Sequence, residues 1–573
     1  MLPEVARILA LPRIEGMRAP PTNAHTLRLP GPSPAVLRPG QLAALGEAQR
    51  ERGLLGVIGV GQGKLLISLL APSVIEGVER PLLLVPAQLV PQTRTELQRW
   101  SAVFRVHPNL KVMSYNDLST ATGQAALQAH NPDLIIADEC HHLRHRTAAR
   151  TRRLVRWFQE NPTTLFVALS GTITSRSVAD FDHLAELTLR ERSPLPREWL
   201  ELEAWAAVMD AHGEPTSHQT GAVAPLLAAF PKAVNAREAF LMRLRSAPGV
   251  ICTIDTSAAE CSLRLEPHRL PDPPPALRDA LRDLRRAWVL PDGTEILRAS
   301  DFAAAERQLQ SGFYYVWDWG AAGPDHEWLA ARAAWSAEVR NILARRLPFV
   351  DSPLQAETWV RSRPNTGAAA ALAAWEAIED RCRPPQVARW VSYAVMDATL
   401  RRVEALEHDH GAVLVWVESV AVMDVLESMG LDVLRPGQPV PAKPRTLVVS
   451  RHSHGVGRNL QGWNTNLLVE PMSSGTAIEQ LIGRTHREGQ EADEVYIEVI
   501  HWTALPLRGI EAAMEDARYV ETSTGQRQKL LLCSGWPARA PEKSSGNLHV
   551  AVDAAVVPQY LLSVAAMKPP ANP

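Results

Sequence analysis

The fold of this chain is decided by a short stretch near its start, LLGVIGVGQGK at Leu54–Lys64, which runs into apolar residues 65–70. An apolar segment, closely spaced glycines and a second apolar run predict a strand, a turn and a helix. Closely spaced glycines let main-chain N–H groups turn inward around a phosphate, and Lys64 adds charge where the helix dipole already favours anions. Strand-to-helix turns also use glycine for conformational reasons alone. The stretch therefore predicts a phosphate-binding turn that needs support from elsewhere in the chain.

One position departs from the usual phosphate-binding loop. That pattern ends in Gly-Lys followed by Ser or Thr, whose hydroxyl holds Mg²⁺. Here Gly63 and Lys64 are followed by Leu65. Ser68 lies about one helical turn further on, roughly 5 Å along the axis, which is too far to substitute directly.

The composition is that of an ordinary globular protein with several domains. The chain has 573 residues, of which 46% are hydrophobic and 21% charged. Its net charge of −2 argues against nonspecific coating of nucleic acid but allows a local basic groove. The five cysteines are scattered without CxxC spacing, which indicates a reducing compartment. No signal-peptide run and no apolar run of membrane-spanning length is present, so we expect no membrane partner.

Acidic and hydroxyl side chains follow two further apolar segments. Residues 133–142 predict a strand that ends in Asp138 and Glu139. Carboxylates at the end of such a strand lie at the ligand edge of an open α/β sheet. Asp138 can hold Mg²⁺ there, and Glu139 can polarise a water for attack on a phosphate. The next predicted strand ends in Ser170 and Thr172. Their small hydroxyl side chains are suited to linking the phosphate-binding edge of the sheet to neighbouring segments.

Zinc is the alternative for the same segment, which also contains Cys140, His141, His142 and His145. Three consecutive residues cannot easily point at one tetrahedral ion, and no second ligand pair at finger spacing follows. Magnesium is therefore the favoured metal.

The middle of the chain changes character. From about 176 to 410 it is rich in Ala, Arg and Leu with helical periodicity, which predicts a helical block. Its aromatic segment 312–320 either stacks on bases or anchors packed helices, and the second interpretation is favoured. The basic run 144–156 either tracks phosphates or forms a solvated helix, and both interpretations stay open.

A second α/β pattern follows the block. Strands are predicted at 412–417, 446–450, 466–469 and 495–500. Between the last two, Arg484 and Arg487 project from one face of a helix. Two adjacent guanidiniums repel, so such a pair needs an anion or neutralising carboxylates; a salt-bridged helix face is the alternative.

In the order in which they occur, these segments resemble the motifs of superfamily 2 helicases and translocases, closest to the Swi/Snf-type ATPases that move along duplex DNA. The resemblance covers the two α/β parts and not the helical block. The matching segments are Leu37–Gln41 (with Gly40 where the family has Tyr), Gly61–Lys64, Asp138–His141, Ser170–Thr172, 455–460 and Gln480–Gln490.

The resemblance implies an α/β fold with two RecA-like parallel-sheet domains and a large α-helical insertion between them. The expected ranges are a Pro-rich lead at 1–36, an ATP-binding domain at 37–190, the insertion at 191–390, the second RecA-like domain at 391–535 and a tail at 536–573.

The resemblance also implies ATP and Mg²⁺ as cofactors and gives roles to the site residues. Arg38 and Gln41 would contact adenine. The phosphates would be held by Gly61, Gln62, Gly63 and Lys64, with Gly457 also at the nucleotide. Asp138 would hold Mg²⁺, and Glu139 would activate water. Arg484 and Arg487 would reach the γ-phosphate, with Gln480 nearby, and His141, Ser170 and Thr172 would couple hydrolysis to motion.

The expected function is that of an ATP-dependent helicase or double-stranded DNA translocase. Two alternatives stay open: a weakly hydrolysing or inactive ATP-binding DNA clamp or scaffold, and an RNA helicase. We expect a cytoplasmic protein of a bacterium or a phage-infected cell.

Overall fold

The computed structural model describes residues 3–174, 176–210, 213, 215–253, 261–294, 296, 299–345, 347, 350, 353–381, 384–454 and 459–537. Within these ranges the chain is an α/β protein with two six-stranded parallel sheets. The predicted α/β class is confirmed. Residues 3–253 contain the first sheet and are called the first unit; residues 261–537 contain the second sheet and are called the second unit.

The strands are β1 Leu54–Val57, β2 Pro81–Val85, β3 Lys111–Ser114, β4 Leu134–Asp138, β5 Leu165–Ser170, β6 Val250–Cys252, β7 Ser262–Arg269, β8 Phe313–Trp317, β9 Gln386–Trp390, β10 Val413–Val417, β11 Val433–Leu434, β12 Leu447–Ser450, β13 Thr465–Leu468 and β14 Glu494–His501.

The α-helices are α1 Pro3–Ala10, α2 Ala24–Leu27, α3 Pro39–Glu51, α4 Lys64–Val74, α5 Val90–Ser101, α6 Ala121–His130, α7 Ala149–Glu160, α8 Asp182–Leu189, α9 Trp199–Met209, α10 Ser217–Ala229, α11 Ala236–Ser246, α12 Pro275–Ala287, α13 Ala299–Ser311, α14 His326–Ala344, α15 Pro353–Arg361, α16 Gly367–Glu376, α17 Ala394–His410, α18 Val420–Ser428, α19 Arg451–His454, α20 Gly475–Thr485 and α21 Leu505–Thr524. None of these helices is both long and apolar enough to cross a membrane.

The first sheet has the strand order β3-β2-β4-β5-β1-β6, with every pair parallel. Alternate residues of each strand enter two separate cores, as Leu54 and Leu55 do, because successive side chains point to opposite faces. Helices therefore cover both faces. The carboxyl ends of β1, β5 and β4 lie side by side at one edge, which brings the glycine-rich turn next to the predicted carboxylates.

The second sheet has the order β11-β12-β10-β13-β14-β7 and is also parallel throughout. The four strands predicted in this part of the chain are observed as β10, β12, β13 and β14 with ends shifted by at most one residue. Its two cores are covered by α12, α13, α17 and α18 on one face and by α20 and α21 on the other. The apolar runs of these strands match a sheet buried on both faces.

The large helical insertion predicted at 191–390 is not confirmed as a separate block. The first part of the predicted insertion ends in β6, which pairs with β1 in the first sheet. The next strand of the predicted insertion, β7, pairs with β14 in the second sheet. Helices α9–α11 pack on the first sheet, where Trp205 and Phe240 are fully buried. These helices are the outer layers of two sheets, an arrangement that helical periodicity alone cannot distinguish from an independent bundle.

Among the described residues, the stretch between β8 and β9 packs apart from both six-stranded sheets, and we call residues 318–385 the excursion. β8 and β9 pair antiparallel at its base. Its helices α14–α16 enclose a small core of their own that includes Ile342, Val360 and Leu372. Trp328 contacts the rings of Trp317, Trp319 and Trp375 with centroids 5.2–6.2 Å apart. These contacts agree with the favoured interpretation of the aromatic segment as a packing anchor.

Candidate active site

The turn after β1, residues 58–63, is called the glycine loop. Gly61 and Gly63 have φ values of 88° and 76°, a left-handed conformation that glycine adopts without a Cβ clash. Gly63 precedes α4, which begins at Lys64. The Lys64 ammonium is buried and donates to the Gly59 carbonyl oxygen at 3.4 Å. The loop therefore curls around a buried positive charge at a helix N-terminus, the arrangement that favours a phosphate.

Two buried carboxylates face this lysine from the end of β4. Glu139 Oε1 lies 3.3 Å from Lys64 Nζ. Burial raises the pKa of Glu139, but Lys64 and His141 outweigh it and hold the pKa below its ordinary value. Burial, with repulsion from Glu139, raises the pKa of Asp138, whose Oδ1 is buried without a hydrogen-bond partner in the described part of the chain. One carboxyl is therefore held ionised, while the other has an unused oxygen.

Glu139 is also the centre of a polar network that joins the ends of β4 and β5. His141 Nδ1 lies 3.3 Å from Glu139 Oε2 and 3.1 Å from Ser170 Oγ. Ser170 Oγ donates to Glu139 Oε2 at 3.4 Å and accepts from the Thr172 N–H at 3.1 Å. The three residues predicted to couple hydrolysis to motion are thus brought together around the predicted water-activating carboxylate.

The arginine helix α20 approaches the glycine loop from the second unit. A Cβ on Gly483 would lie only 2.4 Å from Val60 Cγ1, so the helix backbone packs directly on the loop. One residue further, Arg484 is buried. Burial lowers its pKa to about 10, the charge of Glu139 opposes that shift, and Arg487 adds to it. The guanidinium of Arg484 therefore lies within electrostatic reach of Glu139 in the other unit.

Arg487 lies beyond the end of α20 at Thr485, so the prediction that both arginines share one helix face is wrong. Arg487 and Arg38 meet at the same junction. Arg487 Nη1 donates to Asn459 Oδ1, and its pKa is lowered by burial and by the nearby charge of Arg38. Arg38 forms an ion pair with Glu488 and also donates to the Gly61 carbonyl at 3.5 Å. Arg38 therefore links the glycine loop to the turn that follows the arginine helix.

The remaining predicted residues are placed as follows. Gln41 Nε2 donates to the Gly63 carbonyl at 3.1 Å and packs where a Gly63 Cβ would be. Gln480 is buried, and its Nε2 has no hydrogen-bond partner within the described ranges. Gln62 lies half-buried in the glycine loop. Gly457 lies outside the described residues.

Three residues at the site were not found from the sequence. Tyr115 Oη donates to the Asp138 carbonyl at 2.8 Å. Thr253 Oγ1 accepts from the Gly59 N–H at 3.0 Å and donates to Gln526 Oε1 at 2.9 Å. Thr253 follows β6 directly, so a hydroxyl at a strand end was its only sequence signal. Tyr115 and Gln526 had none.

Of the residues weighed for zinc, Cys140 and His142 pack against the core. His141 belongs to the network around Glu139, and His145 is exposed. Cys140 is fully buried, which raises the pKa of its thiol. His142 stacks on Tyr115 with ring centroids 5.3 Å apart, and burial, with the charge of His141, lowers the pKa of His142 to about 3. Among the described residues no group of three or more His, Cys, Asp or Glu side chains is placed to hold a metal ion.

The residues present fit a nucleotide with one magnesium ion better than a protein-enclosed metal. Magnesium in such sites takes one or two carboxylates and completes its shell with phosphate oxygens and water. The unpartnered Oδ1 of Asp138 suits that role. Leu65 packs half-buried against the core and offers no ligand, and the Ser68 hydroxyl is buried further along α4.

The basic run after β4 is mostly structural. Arg150 and Arg153 donate to the main-chain carbonyls of His142 and Thr120 at 2.7 Å and 2.6 Å. Arg152 donates to two carbonyls of the excursion at 2.9 Å each. These arginines hold α7 to its neighbours, which neither open interpretation anticipated.

No protein-family model matches this chain, and no curated protein matches it.

Proposed function

We propose that this chain is an ATP-dependent helicase or translocase in which two RecA-like domains hydrolyse ATP between them while moving along nucleic acid. One observation carries the proposal. Helix α20 of the second unit packs on the glycine loop at Gly483, which brings buried Arg484 within electrostatic reach of Glu139. Lys64 Nζ of the first unit lies 3.3 Å from the same carboxylate. A phosphate cradle, an ionised carboxylate and an arginine from the facing unit are the parts of a phosphoryl-transfer site.

Each residue has a role that follows from its surroundings. Lys64 and the N–H groups of the glycine loop bind the phosphates. Glu139, kept ionised by Lys64 and His141, orients the attacking water. Asp138 would hold Mg²⁺, which when bound neutralises phosphate charge.

The arginines make hydrolysis depend on the position of the second unit. Arg484 and Arg487 supply positive charge where phosphate charge develops, a contribution of roughly 10³–10⁵ in rate where it is known. Because they are carried by the second unit, a shift of that unit changes the rate. His141 and Ser170, joined to Glu139, are placed to pass that shift to the first sheet. A difference in binding free energy between nucleotide states can then move one unit against the other.

Duplex DNA is the proposed partner, supported by the motif resemblance and contacted mainly through its phosphates with weak sequence preference. A weakly hydrolysing clamp is the second candidate, and Leu65 favours it because no hydroxyl follows Lys64.

An ATPase assay on the purified chain tests the proposal with duplex DNA, single-stranded DNA, RNA or no polymer. We expect duplex DNA to stimulate hydrolysis most, and the stimulation to fall steeply as salt rises. ATP binding without hydrolysis under every condition would favour the clamp. Greatest stimulation by RNA would favour an RNA helicase.

Arg487→Ala tests the role of the arginine pair. We expect turnover to fall by about 10³-fold or more, because charge on the transferred phosphate is no longer neutralised. Binding of a fluorescent ATP analogue should be largely intact. Arg508→Ala, which changes an exposed arginine of α21, is the matched control and should behave as wild type. Loss of ATP binding in Arg487→Ala would contradict the assignment.

A further inference from the structure

Gln526 of the second unit packs on Gly59, the first glycine of the glycine loop. It is buried, and its Oε1 accepts from Thr253 Oγ1 at 2.9 Å. A Cβ on Gly59 would lie 2.6 Å from Gln526 Nε2, so the amide occupies the space that any side chain at that position would need. The absence of a side chain at Gly59 is therefore what allows the second unit to reach the loop.

Thr253 passes this contact to the loop backbone. Its N–H donates to the Val57 carbonyl at 3.0 Å, which holds it beside the end of β1. Its hydroxyl accepts from the Gly59 N–H at 3.0 Å. The Gly59 carbonyl in turn accepts from Lys64 Nζ at 3.4 Å. A continuous chain of hydrogen bonds thus runs from Gln526 to the phosphate-binding lysine.

Gln526 is tied to the arginine helix within its own unit. It follows α21, and Asp516 of that helix accepts from the Gly475 N–H, at the N-terminus of α20, at 3.3 Å. Lys529 lies three residues after Gln526. Its Nζ donates to the His486 carbonyl at 2.5 Å and lies 3.0 Å from His486 Nδ1. His486 lies between the two arginines. Any motion that withdraws the arginines from the first unit therefore withdraws Gln526 as well.

We propose that Thr253 and Gln526 are positioning residues that hold the glycine loop in its phosphate-binding shape only while the second unit is docked. This inference rests on the proposed function. It adds a second route, besides the arginines, by which the position of the second unit controls the site: the arginines act on the phosphate, and Gln526 acts on the loop.

The neighbouring Gln528 provides a matched control. It is equally buried in the same segment, but its Nε2 donates to the carbonyls of Gln526 and Arg527 within its own unit. Gln526→Met and Gln528→Met remove an amide of the same size from the same segment. Only the first breaks the link to Thr253.

Two variants of Thr253 complete the set. Thr253→Val keeps the side-chain shape but removes the hydroxyl, whereas Thr253→Ser keeps the hydroxyl. Together with Gln526→Met they form a double-mutant cycle, in which two residues that act through one hydrogen-bond chain give non-additive effects.

The first readout is hydrogen exchange of the nucleotide-free full-length protein at residues 58–64. We expect Gln526→Met and Thr253→Val each to raise the exchange rate there by about tenfold, the effect of losing one buried hydrogen bond. Gln528→Met and Thr253→Ser should match wild type, as should the melting temperatures of all variants to within a few degrees. Unchanged exchange in Gln526→Met would overturn the inference, whether or not the protein hydrolyses ATP.

The second readout is steady-state ATP hydrolysis. We expect kcat/KM for ATP to fall by about tenfold in Gln526→Met and in Thr253→Val, mostly through KM, and no further in the double variant. Equal effects of Gln526→Met and Gln528→Met would contradict the positioning role. A wild-type protein without any turnover would instead contradict the proposed function and leave the exchange result to decide this inference.

Discussion

At the scale of single residues, neighbouring charges decide which of two buried carboxyls near the glycine loop is held ionised. Asp138 and Glu139 are adjacent and both buried, yet their pKa values shift in opposite directions. Lys64 and His141 lie 3.3 Å from Glu139 and lower its pKa, whereas repulsion from Glu139 adds to the burial that raises the pKa of Asp138. Such a split between neighbouring carboxyls gives them different chemical tasks. A buried oxygen without a hydrogen-bond partner in the described structure, such as Asp138 Oδ1, marks a position where a bound cation or donor would be stabilised.

His142→Phe is a residue-scale prediction about pH. Burial, with the charge of His141, lowers the pKa of His142 to about 3, against about 6.5 in an unfolded chain. Between these values the unfolded chain binds a proton that the folded chain does not, so the free energy of unfolding falls as the pH falls. We expect wild type to lose about 1–2 kcal/mol more than His142→Phe between pH 7 and pH 5 in urea unfolding.

The substitution keeps the stacking on Tyr115 and removes a ring nitrogen, Nε2, that is buried without a hydrogen-bond partner in the described structure. His218→Phe, which changes an exposed histidine of α10, is the control for introducing a phenylalanine ring. Equal pH slopes in wild type and His142→Phe would show that the imidazole does not titrate as argued.

At the scale of elements, the site depends on how closely α20 approaches the glycine loop. Its face toward the loop has a glycine at the point of contact, and Val60 fills the space a side chain would take. The capping residue Ser474, whose side chain accepts from the Ala477 N–H at 3.3 Å, starts the helix at a defined position. Together these features set how far Arg484 reaches.

Gly483→Ala tests that approach. A Cβ 2.4 Å from Val60 Cγ1 must push the helix away, since the β-branched valine cannot move its branch point. We expect at least tenfold slower ATP turnover and a loss of about 1–3 kcal/mol in stability, which exceeds the gain of about 1 kcal/mol from helix propensity.

Two companion variants make this prediction specific. Gly221→Ala places the same change in α10, where nothing lies within 4 Å, and should be neutral or slightly stabilising. Val60→Ala combined with Gly483→Ala should restore part of the lost turnover. No recovery in the double variant would mean that the glycine serves another purpose.

At the scale of the whole molecule, two units share one site, and the excursion stands apart from both sheets. The two ends of the excursion lie next to each other, because Trp317 pairs with Gln386 and the Asp318 N–H donates to the Pro385 carbonyl at 2.8 Å. Its link to the first unit includes two hydrogen bonds from Arg152.

Replacing residues 319–384 with a short Gly-Ser turn should therefore leave a folded protein. We expect one cooperative thermal transition, with a melting temperature only a few degrees lower, since few stabilising contacts outside the excursion are lost. Circular dichroism measures both. Arg152→Ala, which removes these two hydrogen bonds, should lower the free energy of unfolding of the full-length chain by about 1–3 kcal/mol. Aggregation of the shortened chain would show that the excursion is part of a shared core.

Much of this architecture followed from local pattern. Continuous apolar runs predicted β2, β4, β5 and the four central strands of the second sheet, because strands buried on both faces need such runs. The spacing of the glycines predicted the glycine loop, which directly precedes Lys64. The errors fell where local pattern is weak, as in the three-residue β6 and the polar-alternating β7, which were assigned to a helical block.

What the sequence by itself determined is therefore the set of elements and the candidate chemistry at their ends. Only the tertiary structure decided which sheet β6 and β7 join, that α20 packs on the glycine loop at Gly483, and that Thr253 hydrogen-bonds to Gln526, 273 positions away. The physical reason is range. Periodicity and turn chemistry act over a few residues, whereas these contacts depend on packing between parts of the chain that are far apart in sequence.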